Sequence, residues 1–495
     1  MKLRLLIAFL VGAALQACAG GARTLTILHT NDMHAQFIPR EAFWVREKPR
    51  PLVGGFVRIK ELLDSIRAAC PATLVLDAGD VMTGNPITDR VYQGAEGGAL
   101  FAMMNLMGYD AWCPGNHDLD ISQENLRGLV RIASFPTLSA NLVNDAGEFV
   151  VGNRATAIIE RGGLRVGLIG VMSPELYSLV NQNNLTGIRV LSPEETAKKY
   201  VAELKGKTDL VVLLSHQGFQ LDSALAEAVS GVDVIVGGHS HTRLKTPRVV
   251  NGVIIVQTGA YTENLGELRL TVENGRVVGH SGKLIPTWVT RKPAPSPLTA
   301  LVDSLKEEID REYSEVVAVL EGEWKRSEFQ SAIGTFIAEA QRLAAAADVA
   351  FMNNHGIRKD QPAGPMTKRD LFEMLPFRNI LTTFELSGKQ LEGIVRYMLE
   401  KRPAIQIAGI TATFRRLPDG SVELDDVRVQ GKAIEEGRMY KCAASDYMIG
   451  EAKRYLGVEI PQPYYLRQTL FGAVEKQLRA LRTIEPKVLY AIKEQ

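Results

Sequence analysis

The stretch Gly115-Asn116-His117-Asp118-Leu119-Asp120 decides how the rest of the chain is read. It puts an amide oxygen, an imidazole and two carboxylates on one short loop, directly after the apolar segment Ala111-Trp112-Cys113. Such a loop can hold a metal through Asn116 while presenting His117 to whatever the metal has bound. Asp120 lies one helical turn beyond His117, close enough to accept a hydrogen bond from its ring and fix the tautomer. Alone, the hexapeptide only suggests a ligand loop. Its meaning depends on whether further ligands occur at matching positions.

Short apolar runs alternate with amphipathic segments on either side of it. Strands are expected over Leu25–Leu28, Thr73–Leu76, Ala111–Cys113, Thr137–Ser139, Val166–Ile169, Leu210–Leu214 and Val232–Val236, with helices over Phe56–Ala69 and Glu194–Leu204 between them. Val253–Gln257, Leu268–Glu273 and Val277–Leu284 continue the β pattern, and Asn274-Gly275 signals a hairpin. The class is α/β. Strand ends are where such a sheet presents its site residues.

Seven of the eight histidines precede residue 291, and five of those follow apolar runs directly, beside Asp, Asn or Gly. Asp32 and His34 are two apart; extended backbone would put both side chains on one side, a chelating pair. Gly79-Asp80 follows the second run, with Gly84 allowing close approach of the chain. Asn116 comes next, then Ser215-His216, then Gly238-His239-Ser240-His241, again with imidazoles at i and i+2. Taken singly, each piece is more often a satisfied surface or core residue. Five in order at strand ends form a set. Seven ligands exceed the need of one four-coordinate metal and suit two metals sharing a carboxylate, with Asp80 the candidate bridge. Nitrogen and oxygen donors without thiolate point to zinc, manganese, iron or cobalt. His29 and His280 fit no pattern.

This ordered set resembles the calcineurin-like metallophosphoesterases. Within them, His29-Thr30-Asn31-Asp32, Ser139-Ala140-Asn141-Leu142 and Asn116-His117-Asp118-Leu119-Asp120 are similar to the 5′-nucleotidase and UDP-sugar hydrolase family. The resemblance implies a four-layer α/β/β/α sandwich followed by a smaller α+β substrate-binding domain. It implies two divalent metal ions, zinc, manganese or similar. One would be held by Asp32, His34, Asp80 and His241, the other by Asp80, Asn116, His216 and His239. His117, oriented by Asp120, is then the catalytic histidine rather than a ligand. The family often has Gln where this chain has His241.

Three prolines in Arg291–Pro297 mark a stiff linker, and Leu298, Leu301, Val302, Leu305 and Ile309 form a helical stripe after it. The expected division is a metallophosphoesterase domain over 18–290, linker and connecting helix over 291–315, and a C-terminal domain over 316–495. That domain mixes a helix over Ile333–Ala346 with strands over Thr382–Leu386, Thr411–Arg415 and Val422–Val429. Asn353-Asn354-His355-Gly356-Ile357-Arg358 stands where the family carries its substrate-binding turn, so Arg358 is expected to grip phosphate or ribose. Leu375-Pro376-Phe377-Arg378-Asn379 and Leu386-Ser387-Gly388-Lys389-Gln390-Leu391 also fit the family. Two departures matter. Ala404 and Ile405 stand where the family places a base-stacking ring, and Gly450-Glu451-Ala452-Lys453-Arg454 replaces a ribose-binding loop, leaving Tyr447 as the candidate second ring.

At the N-terminus, Lys2 and Arg4 precede the apolar run Leu5–Leu15 and the lipobox-like Leu15-Gln16-Ala17-Cys18. A signal peptide over 1–17 and a lipid anchor on Cys18 are expected, hence export to the periplasm or cell envelope. No later stretch reads as a transmembrane helix. Of 495 residues, 46% are apolar and 23% charged, and the net charge is +1, so nothing calls for nucleic acid as a partner. The expected partner is a small phosphate ester, with a nucleoside 5′-monophosphate first. UDP-sugars, 2′,3′-cyclic nucleotides or a non-nucleotide phosphate are the alternatives within enzymes, and a non-catalytic nucleotide-binding lipoprotein is the alternative of another class.

Overall fold

The computed structural model describes residues 22–151 and 154–495, so the expected signal segment and Cys18 lie outside the described residues. The strands that position the site are β1 (Arg23–Thr30), β2 (Thr73–Asp77), β3 (Ala111–Trp112), β4 (Thr156–Arg161), β5 (Leu164–Met172), β6 (Leu210–His216), β7 (Val234–Gly237), β8 (Arg248–Val250), β9 (Val253–Val256), β10 (Asn264–Glu273) and β11 (Arg276–Pro286). They form two sheets, in the orders β11-β10-β1-β2-β3 and β8-β9-β7-β6-β5-β4. β1, β2 and β3 are parallel, as are β5, β6, β7 and β9.

Strand periodicity explains the stacking. In β6, Leu210, Val212 and Leu214 face a core shared with Leu25, Ile27, Leu74 and Leu76 of the other sheet. Val211 and Leu213 face outward, under helices α4 (Pro193–Leu204) and α5 (Phe219–Ala228). On the far side, Leu28 and Val75 pack beneath α1 (Phe56–Ala69), α2 (Gly98–Met107) and α3 (Gln123–Ile132). Both faces of both sheets are buried, which is why these strands read as near-continuous apolar runs. The layers are α/β/β/α, as expected. Asn274 (φ 50°) and Gly275 (φ 70°) make the left-handed turn joining β10 to β11.

The strand expected over Thr137–Ser139 does not form. Thr137 makes a single bridge to Trp112, while Ala140 N–H already donates to Gly170 of the second sheet. The segment crosses from one sheet to the other and cannot pair along its length with either.

Ser296 caps α6 (Pro297–Tyr313) through Thr299 N–H, with Pro297 in the first turn. Its buried stripe of Leu298, Val302, Leu305, Ile309 and Tyr313 joins the core beneath α1 and α2. The segment expected to connect two domains is therefore packed into the first one. The second half centres on a five-stranded sheet that includes Val349–Asn353 and Ile380–Ser387, with a four-stranded sheet around Ile410–Arg416. Helices α7 (Ala332–Ala344), α8 (Lys368–Met374) and α9 (Gly388–Lys401) cover them. This is the expected smaller α+β unit. It touches the first half through Arg378, which pairs with Asp89 and Glu96, and through Asn181 Nδ2, which donates to Asp446 at 3.1 Å.

No helix among the described residues is long and apolar enough to cross a membrane. Cys70, Cys113 and Cys442 are free thiols.

Candidate metal centre

The carboxyl ends of β1, β2, β3, β6 and β7 meet at one edge of the sandwich. Register enforces this: Thr30 pairs with Asp77, Asp77 with Trp112, and Ser215 with Gly237. The loops that follow run side by side and are bonded to one another. Asp32 N–H donates to Gly79, His34 N–H to Asp80 and Ala35 N–H to Val81, at 2.8–2.9 Å.

Two groups of donors result. Asp32, His34 and His241 bring ligand atoms within 4.8 Å of one another, and so do Asp80, His216 and His239. The expectation of extended backbone at the two i, i+2 pairs is corrected. Asp32, His34, Asp80, His239 and His241 all have φ between 46° and 74°, the left-handed region. Such residues persist only where their surroundings over-determine them, and they gather at functional sites. Here the paired loops supply the constraint, and the side chains converge because the backbone coils.

The donor chemistry fits bound cations. His216 Nδ1 donates to the Ala78 carbonyl at 2.6 Å, leaving the Nε2 lone pair facing Asp80 Oδ2 at 3.1 Å. His34 Nδ1 likewise donates to Thr83 O at 3.1 Å, so its Nε2 lone pair lies 3.0 Å from His241 Nε2. Asn116 Oδ1 is buried with no protein partner. Facing lone pairs and an orphaned acceptor are what a site built around positive charge leaves behind.

Without such charge, protons must take its place. Burial works to lower the His216 imidazole, yet the Asp80 carboxylate raises it to about 10. Burial raises Asp80, but His216 and His117 hold it well below the usual carboxylate range. Burial and the field of His216 push His239 down to about 4. Asp80 feels His216, His117 and His34, while Asp32 feels His241 and His216, so each carboxylate reaches both groups electrostatically.

His117 Nδ1 lies 2.7 Å from Asp120 Oδ2, which also accepts from Thr83 Oγ1 at 2.7 Å. Its backbone N–H donates to Asp80 Oδ1 at 2.8 Å. Burial works against the charged ring, and Asp120 and Asp80 overcome it, so its pKa is raised. Its ring centroid lies 5.3 Å from His34 and 5.4 Å from Phe377, which comes from the second half of the chain. Arg358 also crosses over: Nη2 donates to His34 Nε2 at 3.4 Å, and the guanidinium lies 5.8 Å from the Phe377 ring centre. Tyr447 donates its hydroxyl to the Ser178 carbonyl at 2.8 Å, has Tyr455 as its ring neighbour, and lines a cleft with Asn181, Asp446 and Glu451. The ring that meets His117 is Phe377, a residue quoted above without a role. No sequence signal separated it from the turn around it.

Sequence reasoning also missed Asp118. Its carboxylate accepts backbone N–H from Gly115, Asp80, Val81 and Met82 at 2.7–3.1 Å, clamping one ligand loop to the next. Burial and the nearby Asp80 push its carboxyl up to about 7. Asn31 does the same for Asp32: it donates to Oδ2 at 2.6 Å and to Gly259 O at 2.7 Å, while Thr258 donates to it.

A sequence model of the calcineurin-like phosphoesterases matches residues 25–243, and one of the 5′-nucleotidase C-terminal domain matches residues 316–457. A Vibrio vulnificus protein named 5′-nucleotidase is 29% identical over 521 positions, covering 90% of this chain and 91% of that one. The crystal structure of a 5′-nucleotidase precursor from Thermus thermophilus superposes with a TM-score of 0.82 at 25% identity, over 95% of this chain and 99% of that one. The sulfate thiohydrolase SoxB from the same organism matches with a TM-score of 0.77 at 20% identity, over 95% of this chain and 96% of that one, a likeness of fold alone.

The sandwich with its carboxylate–imidazole edge defines a metal-dependent hydrolase of the metallophosphoesterase type. More narrowly, the chain belongs to the calcineurin-like phosphoesterases that carry a 5′-nucleotidase C-terminal domain.

Proposed function

We propose that the protein hydrolyses nucleoside 5′-monophosphates, releasing phosphate, at a dinuclear centre. The observation that carries this reading is the pair of donor groups flanking His117, with Arg358 reaching over them from the second half. In this reading Asp32, His34, Asp80 and His241 hold one divalent ion, zinc, manganese or similar. Asp80, Asn116, His216 and His239 would hold the other, with Asp80 common to both sets. Bound there, the ions would neutralise charge on the phosphoryl oxygens and lower the pKa of the attacking water.

The chain's own residues do the rest. With Nδ1 bonded to Asp120, His117 presents Nε2 to the cleft, placed to protonate or hydrogen-bond the departing oxygen. The Arg358 guanidinium, beside His34 and the Phe377 ring, clamps phosphate oxygens. Export, with a lipid anchor on Cys18 in the periplasm or cell envelope, is part of the same proposal. It rests on Lys2, Arg4, the apolar run and Leu15–Cys18.

A second reading, a phosphatase for non-nucleotide esters, is favoured by one observation. The position where a base-stacking ring is expected holds Ala404 and the buried Ile405, and a lost stacking partner costs about 1–3 kcal/mol. A panel of AMP, UDP-glucose, 2′,3′-cyclic AMP and an aryl phosphate, run with and without chelator, tests both. A marked preference for AMP supports the nucleotidase. Equal rates on AMP and the aryl phosphate support the second reading. No phosphate release alongside tight nucleotide binding would show a binding protein instead.

A further inference from the structure

One more parallel strand ends at the edge where the ligands gather, and it brings none of them. β9 pairs with β7, Val256 beside Val236, so Gln257 emerges next to the loop that carries His239 and His241. Only 1% of this residue is exposed, and a buried amide must find its partners within the protein. Its Nε2 donates to the Gly238 carbonyl at 2.8 Å. Its Oε1 accepts from Ser240 Oγ at 3.0 Å and from the Thr242 backbone N–H. These contacts fall just before His239, between His239 and His241, and just after His241. With both lone pairs of Oε1 taken, Gln257 is not itself a ligand.

The loop needs such a brace. His239 and His241 hold left-handed backbone, with φ of 74° and 51°, which lasts only where the surroundings over-determine it. The two imidazoles also serve different groups: His239 stands with Asp80 and His216, and His241 with Asp32 and His34. The residues that Gln257 bonds therefore set how far apart the two groups lie along this loop. The residue after it reaches the other ligand loop. Thr258 donates its N–H and its hydroxyl to Asn31 Oδ1 at 2.8 and 2.7 Å, and Asn31 in turn donates to Asp32.

We propose that Gln257 is a positioning residue that fixes the spacing of the two metal sites by holding His239 and His241 in one arrangement. The proposal rests on the dinuclear reading given above. Losing a group that orients a ligand costs about 10–100-fold in metal affinity. Gln257 braces one imidazole of each group, so its loss reaches both ions at once.

The test is calorimetric titration of metal-free protein with Mn2+, followed by electron paramagnetic resonance of the loaded protein. The parent is expected to bind two Mn2+ and to show the spectrum of a spin-coupled pair. Gln257→Met keeps the length of the side chain without its polar atoms. In that variant both ions bind at least about tenfold more weakly, and the pair spectrum changes even when both sites are filled. Ser240 is exposed, so Ser240→Ala keeps the test valid should Gln257→Met misfold. It removes one of the three contacts and weakens both ions roughly threefold, the worth of one neutral hydrogen bond. Parent-like affinities and spectrum in folded Gln257→Met, or in Ser240→Ala if the first variant misfolds, would overturn the proposal, and so would a loss confined to one ion. Fewer than two Mn2+ in the parent would refute the dinuclear reading itself, and the proposal with it.

Discussion

His117 and Asp120 are joined by a 2.7 Å contact between Nδ1 and Oδ2, across the single turn of 3-10 helix (Asn116–Leu119) that Asp120 closes. One turn thus sets a candidate ligand and a candidate acid at a fixed spacing, with Thr83 and Asn184 holding Asp120 from outside.

Replacing His117 by Ala should lower kcat by about 10²–10⁴ while metal content and KM change little, because the ring acts on the reacting oxygen. Asp120→Asn should retain more activity, since the amide can still accept from Nδ1. Steady-state kinetics with metal analysis on both variants checks the ordering. Full activity in His117→Ala would remove this histidine from the mechanism.

Asp118 offers a separate test, of architecture rather than chemistry. Its carboxylate takes four backbone N–H groups, and Asp118→Ala would leave all four donors buried without a partner. The expected cost is on the order of 3 kcal/mol in unfolding free energy, together with weaker metal binding. Denaturant unfolding with and without added metal measures both. An unchanged midpoint would show that the clamp is dispensable.

Gly115 should tolerate no side chain. A Cβ there would overlap Asp80 Oδ1 and come 2.7 Å from the His216 ring. Gly115→Ala is expected to keep the fold yet lose at least tenfold in metal affinity, comparable to damage among the partners that orient ligands. Calorimetric titration with Mn2+ reads the result.

These cases mark what the sequence made legible. The ligands could be found because each follows an apolar run, and parallel strands in register bring their ends to one edge. The layer order was legible for the same reason: runs apolar on both faces require cover on both faces. The left-handed backbone at Asp32, His34, His239 and His241 was not legible, because it arises from bonds between loops distant in sequence. Asp118 escaped for a related reason, as its four partners belong to two loops that meet only in the fold. Arg358 was legible only through the likeness of Asn353–Arg358 to a family turn, whereas Phe377 also reaches the centre from the other half of the chain and no local pattern reports that crossing. The α6 stripe was legible, but a stripe does not say which core receives it.

Acid stability should depend on His29. Burial between the first sheet and Gly266 pushes its imidazole down to about 3 from an ordinary 6.5. Between these values the unfolded chain binds one more proton than the native one, so stability rises with pH through that window. The contribution is complete above the unfolded value and is lost progressively as pH falls toward the folded one. His29→Asn should therefore lose less stability than the parent between pH 6.5 and pH 4. Thermal unfolding across that range compares them, and parallel curves would contradict the assignment.

The most direct measurement follows phosphate release from AMP against metal content as chelator is titrated into the purified protein. Two ions per chain are predicted in the active form, with hydrolysis falling as they are withdrawn and returning when Mn2+ or Zn2+ is restored. Undiminished hydrolysis in fully chelated protein, or none in protein carrying both ions, would contradict a dinuclear phosphoesterase built on these residues.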